Sequence, residues 1–145
     1  MNELTQEEAQ YLISIAKEYK GDKIFEYPDV GGKLNIDLQS HDGKEDFILD
    51  ITRSRIDFMK YTFQNRLRKA ITLIRVDIGG SPHRNPDGKE IGIPHIHIYK
   101  EGYGDKYAYK LPSNFDDCKD TFDYLSAFMD FCNIVKKPTI NMRLF

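Results

Sequence analysis

The chain has 145 residues, a formal net charge of −2 and 40% hydrophobic residues, with nine Tyr and nine Phe. That length suits one domain, 1–145, around one core, and a near-neutral balance excludes a protein that binds polyanions through bulk positive charge. No apolar run approaches the ~20 residues needed to cross a bilayer. The acidic, polar start Met1–Glu8 has no signal region, so no membrane partner and a cytoplasmic location are expected.

In chain order, Thr5 and Glu8 form a capping box, and Ala9, Leu12, Ile13, Ala16 and Tyr19 recur at helical spacing. The spacing predicts an amphipathic helix over 6–20, stopped by Gly21. Leu34, Ile36 and Leu38 alternate with polar neighbours, which predicts a strand over 33–39. Asp42-Gly43 centres a hairpin turn, and the partner strand runs over 46–53.

A third strand is expected over 55–64, with Phe58 and Phe63 as core candidates, and a fourth over 70–78 that buries Ile74, Val76 and Ile78. A long loop follows over 79–92, with Asn85-Pro86-Asp87-Gly88 as a strong turn. Strands over 94–100 and 106–110 come next, then a helix over 115–133 with an apolar stripe of Phe115, Cys118, Phe122, Leu125, Phe128, Met129 and Cys132. A short strand over 139–142 closes the chain. On one unbroken helix the two cysteines would stand ~21 Å apart, beyond disulfide reach, as befits free thiols in a reducing compartment. Strands joined by short turns favour an α+β fold: a single antiparallel sheet of about five to six strands, with an N-terminal and a C-terminal helix packed against it.

Three of the four histidines lie between positions 83 and 97. On a strand, His95 and His97 project to one side, Ile96 and Ile98 to the other, and Tyr99 continues the polar line. If the loop between them is a hairpin, Val76-Asp77-Ile78 pairs with the strand that begins at Pro94, and His83 comes within reach of His95. Three chemistries compete. The rings are hydrogen-bonded parts of the fold, with Asn85 and Asp87 only making the turn; or they form a proton-transfer site, one His as base and another as acid; or His95 and His97 join His83 or an acid such as Asp77 or Glu101 around a metal ion.

Between Arg53 and Arg75 seven Lys/Arg stand against one acid, Asp57, interleaved with aromatics. Such a stretch suits phosphate contacts with base stacking, or a solvated sheet face. Lys60, Arg66 and Arg68 are the phosphate-binding candidates. No dinucleotide fingerprint, phosphate loop, nucleophile elbow or cysteine metal spacing is present.

The pieces Pro82-His83-Arg84-Asn85-Pro86-Asp87-Gly88, Pro94-His95-Ile96-His97-Ile98-Tyr99 and Glu101-Gly102-Tyr103-Gly104 resemble the signature of a little-characterised family of small proteins of bacteria and their mobile elements. Phe47-Ile48-Leu49-Asp50-Ile51-x-Arg53 and Lys60-Tyr61-Thr62-x-Gln64-x-Arg66 belong to the same pattern. The resemblance covers nearly the whole chain and implies no activity. The topology is also loosely similar to compact toxin ribonucleases, although those are usually basic.

The leading expectation is a metal-independent endoribonuclease-like or RNA-binding protein, as in a toxin or phage-defence component. It has His83, His95, His97 and Tyr99 as catalytic residues, Lys60, Arg66 and Arg68 on phosphate, no metal and no cofactor. Its partners would be single-stranded RNA and a protein, either an antitoxin or a host target. The alternatives are a non-enzymatic interaction or inhibitor protein of a mobile element, and a divalent-metal phosphoesterase.

Overall fold

Alternating apolar residues on successive strands build a large sheet, and a computed structural model describes it for residues 3–57 and 59–142. The elements are α1 (Gln6–Ser14), β1 (Lys17–Glu18), β2 (Ile24–Glu26), β3 (Lys33–Ser40), β4 (Asp46–Arg53), β5 (Tyr61–Leu67), β6 (Ile71–Ile78), β7 (His83–Arg84), β8 (Glu90–Ile91), β9 (His95–Ile98), β10 (Ala108–Lys110), a 3₁₀ turn (Ser113–Phe115), α2 (Thr121–Phe131), β11 (Ile134–Lys136) and β12 (Thr139–Asn141). The main sheet has eight strands in the order β10-β9-β6-β5-β4-β3-β1-β11. Its pairs are antiparallel except β1 with β11, which is parallel. Two small sheets, β12-β2 and β7-β8, complete the structure.

The fold is therefore α+β with a helix near each end, but the sheet is larger than the expected five to six strands and it is mixed. The extra strands come mostly from short segments whose partners are distant in sequence. The helix expected to reach residue 20 stops at Ser14, because Lys17–Glu18 gains ladder partners on both sides, β3 and β11. Lys17 fixes this ending. Its ammonium donates to the carbonyls of Ile13 (2.8 Å), Ile15 (3.1 Å) and Cys132 (2.8 Å) from a wholly buried position.

The third strand also moves. Residues 54–57 and 59–60 lie outside any strand, between β4 and β5, and the Ser54 hydroxyl accepts from the Ile56 and Asp57 amides. Phe58 lies outside the described residues. The C-terminal helix begins at Thr121, not at 115. Asp120 caps it by accepting from the Asp123 amide, and the acid-rich 116–120 stretch stays outside. Cys118 is thus not on the helix, Cys132 caps its end, both thiols are free, and Phe122 is exposed. No helix among the described residues is long and apolar enough to cross a membrane.

One face of the sheet is apolar. Ile36, Leu38, Phe47, Leu49, Ile51, Phe63, Ile74, Val76 and Ile96 are buried there, with Ala9 and Leu12 of α1 and Leu125, Phe128 and Met129 of α2 in the same core. Phe63 meets Phe128 with ring centroids 5.8 Å apart. Ile74 and Val76 are buried as expected, while Ile78 is only partly so.

Since strand side chains alternate, the residues between these belong to the other face. The ladder aligns them into a row. Asn35 opposes Asp50, Asp50 opposes Gln64, Gln64 opposes Arg75, and Arg75 opposes His97. One step along, Thr52, Thr62, Asp77 and His95 are in register. The histidines are thus the end of a polar band laid across five strands.

Candidate metal centre

β6 and β9 hold the site through a single register. Asp77 faces His95 and Arg75 faces His97. The Asp77 Oδ2 atom lies 3.0 Å from His95 Nε2 and 3.2 Å from His97 Nε2. Ligand atoms of all three residues fall within 4.8 Å of one another. An ion held tetrahedrally at ~2.1 Å would put its ligands ~3.4 Å apart, close to the 3.0 and 3.2 Å that separate the Asp77 oxygen from the two ring nitrogens.

The other ring nitrogens determine what these three atoms can do. His95 Nδ1 lies 3.0 Å from the Gly92 carbonyl oxygen, and His97 Nδ1 lies 2.8 Å from that of Asp105. A carbonyl only accepts, so each Nδ1 carries a hydrogen; His97 Nε2 accepts from the Arg75 guanidinium, while His95 Nε2 faces the Asp77 carboxylate and either donates a hydrogen to it or, without that hydrogen, offers a lone pair to a cation. With the His95 hydrogen removed, two ring lone pairs and a carboxylate oxygen would meet at one point, a donor set that a cation holds together. Ring N–H groups anchored on backbone carbonyls are also the outer support that metal-ligating histidines ordinarily have.

Arg75 provides positive charge there. Its Nη2 is 3.0 Å from His97 Nε2, its Nε is 3.3 Å from Asp77 Oδ1, and its Nη1 is 3.3 Å from Asp105 Oδ2. Burial opposes ionisation of Asp77. The charge of Arg75 and the Thr62 hydroxyl, 3.0 Å away, outweigh that and keep the carboxyl well below the usual carboxylate range. Asp77 is therefore a carboxylate at any physiological pH.

Although they belong to the polar face of the strand, the rings do not face open water. His95 and His97 are 2% and 1% exposed. The 79–92 segment, expected as a loop, folds into the β7–β8 hairpin and helps to roof them. His83, at its base, lies with its ring 4.7 Å from that of His97 and 6.0 Å from that of His95. His83 Nε2 is 2.7 Å from the Lys106 carbonyl oxygen, which leaves Nδ1 without a hydrogen-bond partner among the described residues. The hairpin is clamped by Asn85, which does more than make the turn. Its buried amide donates to the Ala108 carbonyl (3.0 Å) and accepts from the Ala108 N–H (2.8 Å).

The remaining candidates lie elsewhere. Tyr99 leaves the polar line and is buried, with its hydroxyl 2.9 Å from both the amide and the carbonyl of Leu4. Arg66 forks onto Asp50 at the centre of the polar band, Nη2 to Oδ1 at 2.9 Å, and Asp50 also accepts from Asn35 and Gln64. Arg68 pairs with Glu45 at the surface, and Lys60 is exposed with its stem along Gly80. Glu101 accepts from the Gln6 amide, away from the cluster. Arg75 and Asp105 are the participants that the sequence did not single out. Arg75 belongs to the basic stretch and to the predicted strand over 70–78, without a role at the histidines, and Asp105 is not among the candidate residues.

These observations correct the expectation of a metal-independent endoribonuclease-like or RNA-binding protein. The Asp77–His95–His97 cluster has the composition and spacing of a metal-dependent site, and it fits the divalent-metal alternative better. Residues 4–134 match a family of unknown function, DUF6978, and the chain belongs to that family. No curated protein matches the chain, and no solved structure does.

Proposed function

We propose that the protein is a divalent-metal-dependent hydrolase, with phosphate esters as its substrate class. The observation that carries this reading is the convergence of His95 Nε2, His97 Nε2 and an Asp77 carboxylate oxygen within 4.8 Å, both imidazoles being anchored from behind by backbone carbonyls. Two imidazoles and one carboxylate suit zinc or a similar borderline divalent ion and leave a coordination position for water. An ion there would supply a nucleophilic hydroxide at neutral pH and neutralise charge on the phosphoryl oxygens. This chain's part is to fix the ligands and to move a proton. His83, with Nε2 bonded to Lys106 and Nδ1 unpartnered, is the group beside the cluster suited to accept one. Arg75 beside the ligands and exposed Lys110, opposite His95 in the β9–β10 ladder, favour an anionic substrate.

The test loads the purified protein with Zn²⁺, Co²⁺ or Mn²⁺ and follows hydrolysis of p-nitrophenyl phosphate and bis(p-nitrophenyl) phosphate. Asp77→Asn, His95→Ala and His97→Ala should each abolish metal-dependent turnover, and a chelator should do the same to the wild type. Turnover unaffected by chelator and by all three substitutions would overturn the proposal.

A further inference from the structure

His97 Nε2 has one lone pair, because its Nδ1 hydrogen is committed to the Asp105 carbonyl. Arg75 Nη2, 3.0 Å away, already engages that lone pair, and the same guanidinium is 3.3 Å from Asp77 Oδ1 and 3.4 Å from Asp77 Oδ2. A metal ion needs the same atoms. The guanidinium and the ion therefore cannot both hold His97, and their like charges oppose each other across Asp77.

Arg75 also has somewhere to go. Its Nη1 already reaches Asp105 Oδ2 at 3.3 Å, and Asp105 is the more exposed of its two carboxylate partners. The Arg75 Nε atom is buried with no well-aligned hydrogen bond among the described residues, although Asp77 Oδ1 is 3.3 Å away. Its hold on the cluster is therefore incomplete, while its link to Asp105 points outward.

We propose that Arg75 is a resident cation that a divalent metal ion must displace, and that the displaced guanidinium then clamps the anionic oxygens of the substrate. This rests on the metal-hydrolase reading and adds regulation to it. Arg75 stabilises the metal-free cluster, sets a threshold for metal uptake, and becomes an oxyanion ligand only after exchange. A planar fork suits phosphate oxygens in a way that an ammonium does not.

The experiment titrates Co²⁺ into wild-type protein, Arg75→Gln and Arg75→Lys, each first shown to be folded by its thermal transition. Removal of a competing cation should tighten Co²⁺ binding in Arg75→Gln by roughly 5- to 150-fold, the range usual for coupled sites. Arg75→Lys, which keeps the charge, should stay near the wild type. Inorganic phosphate added to the Co²⁺-loaded proteins should perturb the visible cobalt spectrum of the wild type at far lower concentration than that of Arg75→Gln. Equal or weaker Co²⁺ affinity in Arg75→Gln overturns displacement, and equal phosphate affinity overturns the clamp. Failure of the wild type to bind Co²⁺ at all overturns the metal reading itself, a result distinguishable from the other two.

Discussion

Asp77 and His95 stand directly opposite each other in the β6–β9 ladder, with Oδ2 3.0 Å from Nε2, although 18 positions separate them in the chain. Because Asp77 ionises more readily in the folded protein than in the unfolded chain, its charge contributes stability. The sign follows from proton uptake. The contribution is fully present above the ordinary carboxylate range near pH 4 and is lost as pH falls below it, because the unfolded chain takes up the proton first. Asp77→Asn should therefore show a shallower loss of stability between about pH 5 and pH 2 than the wild type, in urea titrations repeated across that range. Parallel curves would show that Asp77 makes no such contribution.

Arg66 and Asp50 form the other charged pair of the polar band, with Asp50 nearly buried and Arg66 about a quarter exposed. Arg66→Ala should destabilise the protein by about 2–4 kcal/mol, since it leaves Asp50 with only two neutral amide donors. Arg66→Lys should recover little, because one ammonium cannot replace the fork. Metal affinity should be unchanged in both variants. Chemical denaturation together with Co²⁺ titration checks the pair of outcomes.

Lys17 gives a second pH signature, at the alkaline end. Burial lowers its pKa from 10.5 to about 8, with the nearby Cys132 acting in the opposite direction. Between those values the unfolded chain holds a proton that the folded one has released. Stability from this group should thus rise as pH climbs from about 8 to about 10.5. Lys17→Met should remove the rise. It should also cost about 2–4 kcal/mol at pH 7, because it orphans three carbonyls at the junction of both helix ends. Urea midpoints at pH 7 and pH 9.5 separate the two effects.

Asn85 replaces a missing strand pairing, since its amide meets both backbone groups of Ala108. Asn85→Ala should release the β7–β8 hairpin while leaving the main sheet intact. Amide exchange over 81–92 should speed up at least ~10-fold, with little change at β5 and β6. Uniform acceleration across the sheet would mean that the clamp holds the whole fold.

Much of this was legible in the sequence. Alternation located β3, β4, β6 and β9, and the Asp42-Gly43 turn located the first hairpin, since these signals are local. The pairing of Asp77 with His95 was reachable from the proline-bounded loop. What escaped was non-local. The strands β1, β2, β7, β8 and β11 are two or three residues long, exist only through partners distant in sequence or across a turn, and carry no period to detect. The basic stretch misled for a related reason. Arg66 and Arg68 read as free phosphate ligands until Asp50 and Glu45 are brought beside them by register. Arg75, in the same stretch, is the cation that register carries to the histidines.

The most direct test is the stoichiometry and ligand set of metal binding. Zn²⁺ titrated into the chelator-treated wild type should bind at one ion per chain, and Asp77→Asn, His95→Ala and His97→Ala should each weaken it at least ~100-fold. His41→Ala, which removes the histidine paired with Glu18 instead, should bind as the wild type does. Binding of no ion, or of an ion that the three cluster variants retain and His41→Ala loses, would contradict the account.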